Sequence, residues 1–309
     1  MFRLLQWSDS HLNATGVNAT QRLIPTVPNI DFTVHCGDVT KSQFSDGIGT
    51  YDGAKSACVI GNHDAVISGF GNIDWTQQVS QQQIYERYLS KSKTALSLDM
   101  NVNETWWCKK IAPRNLLILG LNDTVTDATL SSQMAWLDGK LSEAEQENLD
   151  VVVVKHGPTI HENIENCNFS SSYMTSAGFS TDKSDYAKWY PNGEKMMNKI
   201  TSSSANVVCV LCGHEHGDGF GIIIKQDGKR IPVIHIGSTL IDEYNDVPRA
   251  DDSNRTASVV CNLFEYSDEC NSLRVYRLGA DSSKNGALRK LLVYSYDTEE
   301  IVAACSNRE

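Results

Sequence analysis

Short apolar runs bounded by glycine, asparagine or aspartate recur along the chain: Phe2–Trp7, Phe32–His35, Ala57–Ile60, Leu116–Leu121, Val151–Lys155, Val207–Cys212 and Ile231–Ile236. They are short, rich in β-branched side chains and do not alternate with polar positions, which predicts strands covered on both faces. Gln77–Ser90, Leu130–Glu147 and Glu194–Ser202 carry helical patterning between them. Strand and helix therefore alternate, and the chain predicts an α/β fold. Towards the end the pattern changes. Ser258–Tyr266, Ser272–Arg277 and Lys290–Tyr296 alternate and are joined by polar turns, so a β-rich segment at about 256–300 is expected to close the same domain as antiparallel strands. Two polar, aromatic-containing stretches, 65–113 and 157–191, fit neither pattern and are expected to be lid-like insertions. The whole of 1–309 is read as one domain.

Composition narrows the class. With 309 residues, 40% hydrophobic residues and 7 prolines, the chain can bury a sizeable core and is globular. Lys+Arg 27 against Asp+Glu 38 gives a formal charge of −11, which argues against a surface that tracks an extended nucleic acid but leaves a small phosphate substrate open. The N-terminal apolar run holds a single positive charge and is interrupted at Gln6, the pattern of neither a signal peptide nor a membrane span. A soluble, cytoplasmic protein is expected. Its 9 cysteines are odd in number and several lie in apolar runs, so reduced thiols are expected too.

The chemistry is announced by position. Five of the buried-type strands run directly into residues suited to a metal: Asp9 and His11; Gly37 and Asp38; Gly61, Asn62, His63 and Asp64; His156; and Gly213, His214 and His216. In an open α/β sheet the carboxyl ends of strands converge on one rim where ligands bind, so residues two hundred positions apart can meet. Each motif alone is weak, and a lone histidine after a strand is more often structural. Their joint occurrence is the signal. Gly37, Gly61 and Gly213 are expected to permit the sharp turns that aim the following side chains. Carboxylates, an amide oxygen and imidazoles make a mixed oxygen and nitrogen set suited to Mn, Fe, Zn, Ni or Mg, without the thiolates of a structural zinc site. Two divalent ions beside Asp9 and Asp38 would leave the site at about +2, a positive well for phosphate in an acidic protein.

These motifs, in this order, resemble the calcineurin-like metallophosphoesterases. Gln133-x-x-Trp136-Leu137 is similar to the cyclic-nucleotide-phosphodiesterase-like branch, and Arg277-Leu278-Gly279-Ala280 resembles a C-terminal strand of bacterial and phage members. The resemblance implies a four-layer α/β/β/α sandwich of two mixed β-sheets flanked by helices. It implies that Asp9, His11 and His216 bind one metal ion, that Asn62, His156 and His214 bind a second, and that Asp38 bridges them. Hydroxide shared by the two ions would attack phosphorus in line, with His63 assisting the leaving group beside Asp38 and Asn62 in the catalytic set. Asp64 would orient His63 or a backbone amide. Gly157 departs from the pattern of relatives that carry a second histidine there, which bears on substrate contacts rather than on metal. A small phosphoester is the implied substrate, with a nucleotide diester slightly favoured over a monoester. The alternative is a non-catalytic or assembly-associated binding protein, for example in a phage particle, on the same scaffold; relatives of that kind usually have substituted ligands, and here every position is filled.

Other candidates read as structural. His35 and His235 lie inside apolar strands, which predicts buried, hydrogen-bonded roles, and His161 reads as a loop residue. Cys209 and Cys212 mimic a metal or redox pair, yet three positions apart on a strand they face opposite sides, so core packing is expected. Trp106 and Trp107 suit either base stacking or packing beneath a lid.

Overall fold

The computed structural model describes residues 1–11, 14–40, 43–66, 79–125, 127–157, 159, 164–166, 192–214, 219–236, 260–267, 269–279 and 289–306. Their strands form two seven-stranded mixed sheets. In the first, β1 (Phe2–Trp7), β2 (Phe32–His35) and β3 (Ala57–Cys58) run parallel. The other side of β1 pairs antiparallel with β11 (Val260–Ser267), and β12 (Ser272–Gly279), β13 (Arg289–Ser295) and β14 (Glu300–Ser306) continue as a meander. The second sheet has β5 (Leu116–Gly120), β6 (Asp150–Val154), β8 (Asn206–Cys212) and β10 (Arg230–His235) parallel at its centre. Antiparallel strands flank them: β4 (Trp107–Ile111) on one side, β9 (Gly219–Ile224) and β7 (Ile164–Asn166) on the other.

The two-faced strands divide their side chains between two cores, as the non-alternating runs require. Leu116, Ile118, Val152 and Val154 join Leu4, Phe32 and Phe264 between the sheets. Their neighbours Leu117, Leu119, Val151 and Val153 pack with Leu137, Leu141, Met196 and Ile200. The latter four belong to α5 (Asp127–Glu147) and α6 (Gly193–Ser202). On the first sheet, Val17 of α1 (Ala14–Leu23) is buried in the same cluster as the β1 residues Leu4 and Leu5. Fully burying each such side chain contributes about 1.5–3 kcal/mol, and the result is two sheets flanked by helices. The C-terminal strands are tied to the second sheet by tyrosines: Tyr266 Oη donates to Asp150 Oδ2 at 2.7 Å and Tyr296 Oη to the Val208 carbonyl at 2.7 Å.

Some elements differ from expectation. β3 ends at Cys58, two residues short of the apolar run. The helix expected over 77–90 is described from α3 (Gln81–Ile84) through a π turn at Tyr85–Leu89 into α4 (Ser90–Ala95). Of the stretch 65–113, residues 79–113 hold these helices and β4. Neighbouring strand residues point to opposite faces, so Trp107 lies between the sheets and donates its Nε1–H to the Cys58 carbonyl at 2.8 Å, while Trp106 lies in the outer core. Both are buried and neither is placed to stack a base. Nearly all of 157–191, including His161, falls outside the described residues. Cys209 and Cys212 face the inner and outer cores respectively. Among the described residues no helix is long and apolar enough to cross a membrane.

Candidate metal centre

Five loops meet where the two sheets face each other, three leaving β1, β2 and β3 and two leaving β6 and β8. Backbone bonds stitch them: Asp9 N–H to the Gly37 carbonyl at 3.0 Å, His11 N–H to the Asp38 carbonyl at 3.1 Å, and Gly213 N–H to the His156 carbonyl at 3.1 Å. Asp38 is 1% exposed, and its two oxygens have separate tasks. Oδ1 accepts the His63 backbone N–H at 2.9 Å. Oδ2 faces three imidazoles from three different loops, with His156 Nε2 at 3.1 Å, His63 Nε2 at 3.8 Å and His11 Nε2 at 3.9 Å. Asp9 lies 3.8 Å from His11 Nε2, and its carboxylate accepts the His214 backbone N–H. Asn62 Oδ1 is 3.2 Å from His156 Nε2 and 3.0 Å from His214 Nδ1.

The close approach of the loops explains the glycines. Gly37 has φ +92° and faces the His156 ring, where a Cβ would stand 2.5 Å from Nδ1. Gly61 does not turn the chain in this way, since its φ is −92°. What it supplies is space, because a Cβ there would lie 2.1 Å from Asp38 Oδ1. Gly213 likewise leaves room for Ser8 Oγ and Asp9 Oδ2, which a Cβ would approach to 2.0 and 2.7 Å. The left-handed conformations belong to the ligand-type residues: Asp9, His11, Asp38 and His214 have φ of 49°, 42°, 57° and 75°. Backbone strain of that kind concentrates at functional sites.

Partners behind the site fix its imidazoles. The His156 Nδ1–H donates to the Cys36 carbonyl, which leaves Nε2 to face Asp38 and Asn62. His11 Nδ1 is 3.2 Å from the Thr40 carbonyl, so its Nε2 turns towards Asp9 and Asp38. Asp64 accepts the N–H groups of Asp38, Thr40 and Gly61 and the Thr40 hydroxyl, and so holds the Asp38 turn against α2 (Asn62–Ala65). Of its two expected partners it takes the backbone. Thr40, Cys36 and Asp64 thus complete a supporting shell that spacing alone does not reveal, because two of the three act through their carbonyls. His35 and His235 are buried core residues. Burial lowers each pKa to about 3, and His35 bridges the Gly37 N–H and Ser10 Oγ.

Charge in the site favours a cation. Burial alone would raise the Asp38 pKa, yet His156, His63 and His11 hold it well below the carboxylate range. Burial alone would lower the His156 pKa, but Asp38, by charge and hydrogen bond, and then Asp9 raise it to about 10. Donor atoms of His11, Asp38 and His63 lie within 4.8 Å of one another, as do those of Asp38, His156 and His214. Two groups sharing one carboxylate suit two ions and a bridge. Asp9 and Asn62 border this arrangement, while His216 lies outside the described residues.

Residues 2–218 match the sequence model of the calcineurin-like phosphoesterases. No curated protein matches the chain. Among solved structures it is similar to a dimetal phosphatase from Danio rerio, with a TM-score of 0.51 at 12% identity over 96% of this chain and 99% of that one. It is also similar to a structure named PhoD, with a TM-score of 0.55 at 14% identity over 99% of this chain and 72% of that one. At these identities the likeness is one of fold.

Proposed function

The chain belongs to the calcineurin-like phosphoesterase family, and we propose that this phosphoester hydrolase uses Asp9, His11 and His216 for one ion, Asn62, His156 and His214 for a second, and Asp38 as the bridge. The observation that carries this reading is Asp38 Oδ2 facing three imidazoles on three loops. Divalent or transition-metal ions held there would supply hydroxide near neutral pH and neutralise charge on the phosphoryl oxygens. His63, whose side chain is 13% exposed beside a 1% exposed Asp38, is the more open member of the cluster. Its backbone N–H is anchored on Asp38 Oδ1, so its Nε2 can hold a proton, or positive charge, beside the departing alkoxide. The proposed substrate is a small phosphoester, with a nucleotide diester slightly favoured over a monoester on the strength of the Gln133-x-x-Trp136-Leu137 resemblance. The −11 charge disfavours an extended nucleic acid.

One competing assignment has support: His63 as a ligand, since its donor atoms group with those of His11 and Asp38. Chelator-stripped protein, with Mn, Fe, Zn, Ni and Mg restored singly, is to be assayed on bis-p-nitrophenyl phosphate and p-nitrophenyl phosphate. His63→Ala is expected to lose roughly 10²–10⁴-fold in turnover while binding close to two ions, and Asp38→Ala to weaken both ions. Loss of metal from His63→Ala as severe as from Asp38→Ala would transfer His63 to the ligands, and an Asp38→Ala enzyme of normal rate would refute the bridge.

A further inference from the structure

Beyond Leu121, where the backbone N–H meets the Val154 carbonyl at 2.8 Å, β5 no longer pairs with β6, although the ligand-bearing turn 155–157 still lies ahead. On the β8 side that turn stays tied, by Lys155 N–H to the Leu211 carbonyl at 3.0 Å and by Gly213 N–H to the His156 carbonyl. On the other side a buried ion pair takes the place of a strand. Lys155 Nζ lies 3.1 Å from Asp123 Oδ2, and both side chains are 0% exposed. The same Asp123 oxygen accepts the Gly157 N–H at 3.0 Å, and Lys155 Nζ donates to the Gly157 carbonyl at 2.5 Å. Both polar backbone groups of the residue after His156 are therefore held by one carboxylate–ammonium pair.

Asp123 is itself braced. Gln133 of α5 accepts the Asn122 N–H through Oε1 and donates to the Asn122 carbonyl through Nε2, both at 2.8 Å, and Asn122 Oδ1 accepts from Thr124 N–H and Oγ1–H. Among the described residues the second Asp123 oxygen, Oδ1, is buried with no hydrogen-bond partner. A pair present for stability alone is poorly served by a buried carboxylate satisfied on one side, since such pairs often gain nothing over apolar residues. We infer that Asp123, with Lys155 as its counter-charge, is a positioning residue that fixes the 155–157 turn so that His156 Nε2 is aimed at Asp38 and Asn62 before any ion arrives. This rests on the reading of His156 as a ligand.

The test uses Mn²⁺ binding to the full chain, followed by calorimetry with chelator competition, and thermal melts as the measure of folding. Asp123→Asn is expected to bind one Mn²⁺ as the parent does and the other 10–100-fold more weakly, the range for loss of a partner behind a ligand. His156→Ala is expected to weaken the same ion further. A folded Asp123→Asn with both affinities within twofold of the parent, beside a His156→Ala that loses an ion, would overturn the positioning role alone. A His156→Ala that keeps both affinities would overturn the ligand reading and this inference with it. If the single variant strands Lys155 and unfolds, Asp123→Asn/Lys155→Met is read against the same thresholds. In the parent protein, the Gly157 amide is expected to exchange its hydrogen slowly with and without Mn²⁺, and rapid exchange without Mn²⁺ would overturn the pre-set turn.

Discussion

Replacing Gly61 by alanine isolates the close approach on which the proposed Asp38 bridge depends. The backbone there is extended, with φ −92° and ψ 172°, so alanine meets no conformational penalty and the obstacle is purely spatial. Its Cβ would stand 2.1 Å from Asp38 Oδ1, 2.4 Å from Asp38 N and 2.7 Å from Asp38 Cγ. Ordinary contact needs roughly 3.5 Å, so the Asp38 turn must retreat by about 1.1 Å at its nitrogen and about 1.4 Å at Oδ1. It cannot do so freely, because Asp38 N is bonded to Asp64 at 2.9 Å and Oδ1 to His63 N at 2.9 Å. Forcing a methyl group into such packing costs about 1–3 kcal/mol of stability. An ångström of misplacement in a reacting site costs about 10²-fold in rate, or about 2.7 kcal/mol of transition-state stabilisation. The assay is Mn²⁺-dependent hydrolysis of bis-p-nitrophenyl phosphate with a melt of the same sample. Gly139→Ala on α5 is the control, since its Cβ meets nothing within 4 Å; it should leave kcat/KM unchanged and add about 0.5–1 kcal/mol of stability. Parental kcat/KM and Mn²⁺ affinity in Gly61→Ala would refute the claim that Asp38 needs this space.

Cys212→Ser should keep most activity and cost about 1 kcal/mol, because the new hydroxyl can bond Thr159 Oγ1, which lies 3.2 Å from the sulfur, and net hydrogen bonds are worth about that much; loss of bound metal would make the thiol a ligand after all. His235 supplies a pH test. Burial, followed by the charge of Lys155, lowers its pKa to about 3, whereas the unfolded chain takes up a proton near 6.5. Unfolding therefore binds a proton between about pH 6.5 and 3, and stability falls as pH falls through that window by up to about 1.4 kcal/mol per pH unit from this one group. His235→Gln should flatten urea-midpoint curves over that range, and an unchanged slope would show that the imidazole is not held neutral.

Much of this is legible in the sequence. β1 and β2 fall where the apolar runs place them, and β5, β6, β8 and β10 lie within one residue of them, because strands buried on both faces cannot disguise their pattern. The histidines and carboxylates at the strand ends are legible for the same reason, and Asp9, His11, Asp38, Asn62, His156 and His214 lie on the loops that meet between the sheets. The missed elements lack such a pattern. α1 holds a glycine, an asparagine and two threonines, all weak helix formers, and β9 begins Gly-Phe-Gly. β4 is hidden because Lys109 and Lys110 interrupt it, and its place is fixed by pairing with β5 rather than by its own residues. The glycines are legible as special, but not for the right reason at 61 and 213, where the demand comes from a side chain distant in sequence. Lys155 left a usable signal, a charged residue ending a strand of four valines. Its partner Asp123, 32 positions earlier, did not.

The bond from His214 N–H to Asp9 spans 205 positions, and β1 acquires its second neighbour only when β11 arrives. A chain emerging from the ribosome therefore exposes Asp9, His11, Asp38, Asn62 and His63 long before their counterparts from the second sheet exist. At about 5–20 residues per second, the gap between Asp9 and His214 amounts to roughly 10–40 s of synthesis. Throughout that interval only part of the proposed ligand set exists, so on the proposed assignment a complete two-ion site waits for the loops of the second sheet.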